Sequence, residues 1–484
     1  MASSNSAPAK SAKIGVFSFV MITAAVVMSV RTLPMTAQPG MMTIFLTLAA
    51  AICFMIPTAL VSAELATAWP EDGGIFIWVR EAFGERMGFI AVWMQWIQMV
   101  FGMTSILMIV GAIFAYAFDP ALAQNKMYIL AVILVVYWAC TLGNMRGVKT
   151  LGWVSTLCVI LGVFLPFFVL VACAIAYLAG GHPIVTDLSF TTANLIPDFS
   201  DRGTWALFIG FVFVVMGMEV SASNVSHVKN AERNYPIAVF LVALFVVIVS
   251  VAGSFAIFIG IPTKHISMTA GLIQAFQTYF DMWGLGWLTP IMAVCMAIGL
   301  AGQVNSWVLG PVRGLQATAN AGALPKVLQK TNKEGVPVNL IYLQAILISI
   351  VGVLICVMPN VDSFYFMLLG LTSLVYIVAY LLMFSAAIYL RYKRPDVKRS
   401  FTVPGGKIGI WICSGLGIAT CLLAGYFGFE APSSYVGTAS SYFNFQFFGL
   451  LVMIIIPIIV YAWGKRSNRA ELAKAATKAA TKAH

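Results

Sequence analysis

Three charged residues stand inside long apolar runs of this sequence: Arg31, Glu64 and Glu219. Ionised side chains at membrane depth are costly and by default mark pathways, relays or internal pairs. A buried guanidinium has a planar fork of donors that matches a carboxylate. Glu64 sits three residues from the end of its run, where anchoring a helix end or a loop is the simpler expectation. Arg31 lies deeper. Snorkelling to an interface, an internal pair with an acid such as Glu219, or contact with a ligand all remain open for it. Glu219 follows Met216-Gly217-Met218 and precedes Val220-Ser221-Ala222-Ser223-Asn224-Val225-Ser226, so an apolar helix is interrupted first by glycine and then by a polar run. Arg31 has comparable surroundings, with Ser29 and Thr32 beside it and Pro34 three residues on. A proline that lacks its N–H is expected to break or kink the helix there. Tyr376 and Tyr380 are four residues apart and share one helix face. Trp307 and Phe213 complete the aromatic candidates.

The elements that must position these residues follow from composition. The chain has 484 residues, of which 61% are hydrophobic and 9% charged. A soluble globule could not cover its surface with so few charges, against about 25% in ordinary soluble proteins. Disorder and a disulfide scaffold are excluded by the same composition. The eight cysteines lie in apolar runs without metal spacing. Twelve stretches reach the about 20 residues that a helix needs to cross a bilayer. They cover 15–37, 42–67, 87–117, 127–144, 152–180, 203–228, 236–261, 286–315, 338–358, 363–391, 408–428 and 445–464, numbered here as helices 1 to 12. The loops between them read as short. The fold class expected is therefore an all-α polytopic membrane protein.

Lys and Arg set the orientation. With both termini in the cytoplasm, every Lys and Arg except Arg31, Lys126, Arg202 and Lys264 falls on the cytoplasmic side. One helix more or fewer would destroy that split. The net charge of +11 is thus explained by topology, and a nucleic-acid partner is not expected. The expected location is the cytoplasmic (inner) membrane. Lys474, Lys478 and Lys482 share one face of the C-terminal tail, which either touches anionic lipid or is simply solvated.

Two interrupted helices, the first and the sixth, divide the chain into halves of five helices. Secondary transporters build midplane binding sites from such broken helices. The segments expected are a cytoplasmic tail 1–14, a first repeat 15–180, a second repeat 203–391, two further helices 408–464 and a basic tail 465–484. There is no Walker GxxxxGK[ST], no HExxH and no GxSxG, so no cofactor, metal or ATP-driven engine is expected. A membrane-embedded enzyme or sensor would need a catalytic pair or a signalling domain, and the chain offers neither.

The stretch Ala63-Glu64-Leu65-Ala66-Thr67-Ala68-Trp69-Pro70, with Gly73-Gly74 and Trp78, resembles the helix 2–3 junction of the APC (amino acid–polyamine–organocation) superfamily. Gly217-Met218-Glu219 followed by Lys229-Asn230-Ala231-Glu232-Arg233-Asn234-Tyr235-Pro236 resembles the same superfamily. Ser306-Trp307-Val308-Leu309-Gly310-Pro311-Val312-Arg313-Gly314, Asn332-Lys333-Glu334-Gly335-Val336-Pro337-Val338 and Pro404-Gly405-Gly406-Lys407 bring it nearest to the glutamate/GABA antiporter family within it. The resemblance implies a LeuT-like five-plus-five inverted repeat plus two C-terminal helices, alternating access, and amino acid substrates. It implies that the substrate carboxylate meets backbone N–H groups near Met28 and Ser29. The amine would meet carbonyls near Ala25 and from Val214 to Met216. Phe213 becomes a gate, Trp307, Tyr376 and Tyr380 pocket walls, and Glu219 a coupling or gating group. Three features depart from relatives: Val27-Met28-Ser29 replaces a Gly-Ser-Gly break, Thr156 stands where some carry a lysine, and the C-terminal tail is short. Beside such a pocket, Arg31 becomes a candidate for an acidic substrate side chain. Antiport of glutamate or a related amino acid against GABA is the leading expectation. A proton-coupled or uniport carrier of neutral amino acids is its rival. Membrane lipids are expected neighbours; the oligomeric state stays open.

Overall fold

The computed structural model describes residues 15, 16, 20, 30–71, 73–145, 157, 158, 160–222, 228–308, 310–319, 322–432 and 435–482. Its elements are helices throughout, and among the described residues eleven are long and apolar enough to cross a membrane. They match helices 2 to 12 of the sequence reading: Gly40–Ala68, Glu85–Ala115, Lys126–Asn144, Ile160–Ala179, Arg202–Val220, Arg233–Phe258, Leu288–Asn305, Val338–Val357, Val361–Lys393, Gly406–Phe427 and Ala439–Arg469. Most of the stretch assigned to helix 1 lies outside the described residues. Its end is a 3-10 turn, Val30–Thr32, that passes into an α-helix, Leu33–Ala37. Pro34 sits in the first turn of that short helix, where its missing N–H costs nothing.

Helix 3 is the buried axis. Of its 31 residues 24 are buried by neighbours, which is why its apolar residues run round the whole circumference rather than along one stripe. Helix 10 packs along it and buries most of its residues between Val361 and Leu390. Helix 12 is the opposite case: little of it is covered, and Phe448, Ile459 and Trp463 lie exposed, as a lipid-facing helix requires.

Local sequence explains the ends and the irregularities. Asn125, Asp201 and Asn360 cap helices 4, 6 and 10 by accepting from Met127, Gly203 and Ser363 N–H groups. In helix 2 a π-turn, Ala51–Met55, precedes Pro57. The wider turn lets the helix continue past a residue that cannot donate. Helices 5 and 8 touch through glycine, because a Cβ on Gly299 would land on the backbone of Gly162.

Two expectations need correction. The 262–285 connection is not merely a loop; it holds a 12-residue helix, Gly271–Met282. Leu272, Ile273, Ala275, Phe276, Tyr279 and Phe280 form its buried face. That is too short an apolar pattern to register as a span. Helix 12 also does not stop at 464 but runs to Lys482 as one helix, because the Ala- and Lys-rich tail is built from strong helix formers.

Candidate substrate cavity

Helix 6 breaks where the sequence suggested. Arg202–Val214 ends, the chain turns through Val215 and Met216, and Met218–Ala222 begins a second piece. Gly217 has φ +106°, a conformation open to glycine. Helix 8 ends at Trp307 and a new helix starts at Gly310, with Pro311 in its first turn.

A central cavity of about 80 Å³ opens between these breaks. Arg31 and Thr32 line it from the end of helix 1, Gln98 and Met99 from helix 3, and Phe213, Val214, Met216 and Gly217 from the turn in helix 6. Gln303 and Trp307 come from helix 8, and Tyr376 from helix 10. Five of the predicted site residues, Arg31, Phe213, Met216, Trp307 and Tyr376, therefore meet in one place. Ala25, Met28 and Ser29, like Val27 and Thr156, lie outside the described residues. Tyr380 is not part of the cavity wall. It is fully buried, and its hydroxyl is engaged elsewhere.

That engagement centres on Glu219, which is 2% exposed. Tyr380 donates to Glu219 Oε2 at 2.6 Å, and Tyr376 donates to Oε1. Gln95 Nε2 donates to the same Oε1 at 3.3 Å. Gly217 N–H donates to the Tyr380 oxygen at 2.8 Å, so the break in helix 6 is fixed to helix 10. Arg31 takes no part: among the described residues no ion pair includes it. The internal Arg31–Glu219 pair left open by the sequence is not formed. Among the described residues, then, no carboxylate stands within ion-pair distance of the guanidinium in the cavity wall, which is lined beside it by amides and one phenol.

Glu64 is held quite differently. Arg391 Nη2 donates to its Oε2 at 2.8 Å, as does Val403 N–H at 2.8 Å, and Arg399 Nε stands 3.3 Å from Oε1. Burial pulls Arg399 below its ordinary pKa, and Glu64 opposes that pull. Thr67 accepts Phe401 N–H at 3.2 Å. Together these contacts plug the 394–405 loop into the end of helix 2, the anchoring role expected of Glu64.

A second cavity of about 220 Å³ lies toward the ends of helices 6 and 11 that carry Asp201 and Glu430. Met35 and Gln38, Gly203, Leu207 and Gly210, and Phe366, Leu369 and Ser373 line it. On each helix these positions extend the face that lines the central cavity: Arg31 leads to Met35 and Gln38, Val214 to Gly210 and Leu207, and Tyr376 to Ser373 and Leu369. Met35 packs closely on Gly210 in the wall of the second cavity.

Sequence reasoning missed Thr32, Gln95, Gln98 and Gln303. It searched apolar helices for charges, whereas these groups are neutral. Gln95 and Gln98 carried a usable signal, being amides three residues apart and thus on one face of a 31-residue apolar helix.

Among known proteins, the sequence model of the amino acid permease family matches residues 14–462. A Legionella pneumophila protein described as an uncharacterized transporter is 36% identical over 447 residues, covering 92% of this chain and 95% of the relative. A glutamate/gamma-aminobutyrate antiporter of Lactococcus lactis subsp. lactis is 34% identical over 456 residues, covering 93% and 90%. A probable agmatine/putrescine antiporter of the same organism is 24% identical over 400 residues, covering 81% and 83%.

Proposed function

This chain belongs to the amino acid permease family and transports amino acids across a membrane, and we propose that it exchanges an acidic amino acid such as glutamate for GABA or a related amino acid. The observation that carries this reading is Arg31 in the wall of the central cavity, with no ion pair to it among the described residues. A cation at membrane depth is expensive without a partner, and the acid nearest in role, Glu219, is engaged by two tyrosines and an amide. A substrate carboxylate supplies what the cavity lacks. Glutamate has a second carboxylate for Arg31; GABA, with one, leaves a different charge balance in the same cavity, which suits alternate loading by the two.

The finer architecture belongs to the same proposal: twelve spans in a five-plus-five inverted repeat plus two helices, residing in the inner membrane with both termini cytoplasmic. Ala25, Met28 and Ser29 complete the substrate contacts in this reading. Phe213 gates the cavity, and Glu219 couples or gates the conformational change. The second cavity is then the route from the central site to the outer face. A second reading, proton-coupled carriage of neutral amino acids, draws on one observation: the buried Glu219 reaches the cavity through Tyr376, a placement that suits a proton carrier.

Purified protein in liposomes separates them. Vesicles loaded with GABA, glutamate, glutamine or nothing are given labelled glutamate with and without a proton gradient. Uptake confined to amino-acid-loaded vesicles establishes obligatory exchange, and the most effective internal solute names the counter-substrate. Gradient-driven uptake into empty vesicles would replace the antiport reading with the proton-coupled one.

A further inference from the structure

Tyr376 belongs to two constellations at once. Its side chain lines the central cavity, and its hydroxyl donates to Glu219 Oε1. Tyr380 is more firmly placed. It donates to Glu219 Oε2 at 2.6 Å, accepts from Gly217 N–H at 2.8 Å, and its ring meets Phe54 edge-on at 4.9 Å. A carboxylate entering the cavity therefore competes with Glu219 for the Tyr376 proton and not for that of Tyr380. A phenol has one proton to give. If Tyr376 turns to the ligand, Glu219 Oε1 loses that donor inside the protein, and a buried acceptor without a donor is penalised.

Gln95 is the group placed to prevent this. Its Nε2 stands 3.3 Å from the same Oε1, a longer bond that can tighten when the oxygen is vacated. Gln95 is itself tied to the cavity wall, because Gln98 Nε2 donates to the Gln95 carbonyl at 3.2 Å and Gln98 lines the cavity. We infer that Gln95 is a positioning residue for substrate binding: it holds Glu219 Oε1 while the Tyr376 hydroxyl transfers from Glu219 to the carboxylate of the bound amino acid. No bond is made or broken beyond these hydrogen bonds. The inference rests on the reading that the amino acid occupies the cavity beside Arg31.

The consequence falls on the bound state. In Gln95→Met, a side chain of similar length without a donor, the empty transporter keeps Tyr376 on Glu219. The loaded transporter leaves Oε1 without a donor. Labelled-glutamate exchange in liposomes should show KM raised about tenfold, the loss of one hydrogen bond to a charged group, with kcat changed much less. Gln95→Ala is the second variant if the first accumulates poorly. Tyr376→Phe removes the hydroxyl that moves, so in that background Gln95→Met should have little further effect on KM. A fall in kcat with KM unchanged, or independent effects of the two substitutions, would overturn the inference and leave Gln95 a packing residue. Arg31→Gln and Tyr376→Phe alone serve as controls on the premise. If neither weakens glutamate binding, the cavity assignment fails and this inference with it. If both do and Gln95→Met does not, only the role of Gln95 falls.

Discussion

The protein buries two glutamates about equally deeply, Glu64 at 3% exposure and Glu219 at 2%, and surrounds them with opposite chemistry. Glu64 faces two guanidinium groups and a backbone N–H, contributed by helix 10 and the 394–405 loop. Glu219 faces two phenols and an amide, all on transmembrane helices around the break in helix 6. The first is a charge cancelled by charges. Removing one member leaves the others buried and uncompensated, so the arrangement holds one geometry. The second is a carboxyl held by neutral donors, each replaceable at modest cost. A transporter that alternates between conformations needs both kinds: a joint that stays closed and a joint that can exchange partners. Tyr376, shared between Glu219 and the cavity, is what ties the second joint to the proposed substrate site.

Substitutions test that contrast in descending order of effect. Glu64→Ala should be the most damaging, destabilising the fold by about 3–5 kcal/mol because Arg391 and Arg399 lose their counter-charge. Thermal melting of the purified protein, followed by size-exclusion chromatography, reads this directly. Glu219→Gln should reverse the pattern. Folded yield and melting stay near those of the parent, while amino acid exchange in liposomes falls on the order of tenfold or more, since an amide cannot accept from three donors through two oxygens. If Glu64→Ala melts like the parent, or Glu219→Gln fails to fold, the contrast is wrong.

Thr67→Val is a smaller probe of the closed joint. It removes the hydroxyl that receives Phe401 N–H, and should cost about 1 kcal/mol. Faster hydrogen exchange confined to the 394–405 loop should reveal it; unchanged protection there would detach the loop from helix 2. The smallest effect belongs outside both joints. Asp187, fully exposed, is held below the ordinary carboxylate range by hydrogen bonds from Ser189 and Asn194. A depressed value in the folded chain means that its contribution is present above the unfolded-state pKa and is lost as pH falls through the folded one. Asp187→Asn should therefore lower melting slightly near neutrality, and the difference should vanish in strong acid. A difference growing toward acid would contradict that sign.

Much of this was legible in the sequence, for identifiable reasons. Helices 2 to 12 announce themselves because lipid demands long apolar runs, and the break at Gly217 shows as glycine followed by a polar stretch. The Gly271–Met282 helix escaped because its buried apolar residues make a face and not a span. Arg391 and Arg399 could not be matched to Glu64, being more than three hundred residues away in the chain. Gln95, Gln98 and Gln303 were overlooked because amides raise no charge signal, although in an apolar helix they too need partners. Arg31, Phe213, Met216, Trp307 and Tyr376 were named from sequence and gather round one cavity. Tyr380, named with them, stands one helical turn away with its hydroxyl engaged by Glu219 and Gly217.

The central claim is that Arg31, in the cavity wall, pairs with a substrate carboxylate. Competition of unlabelled glutamate and glutamine against labelled substrate, on the parent and Arg31→Gln in the same liposomes, tests it most directly. The two competitors differ only in the side-chain carboxylate. The account predicts that glutamate loses potency by roughly ten- to a hundredfold, as expected for a charged hydrogen-bonded pair, while glutamine changes little. Equal loss for both competitors, or glutamate potency untouched, would contradict it.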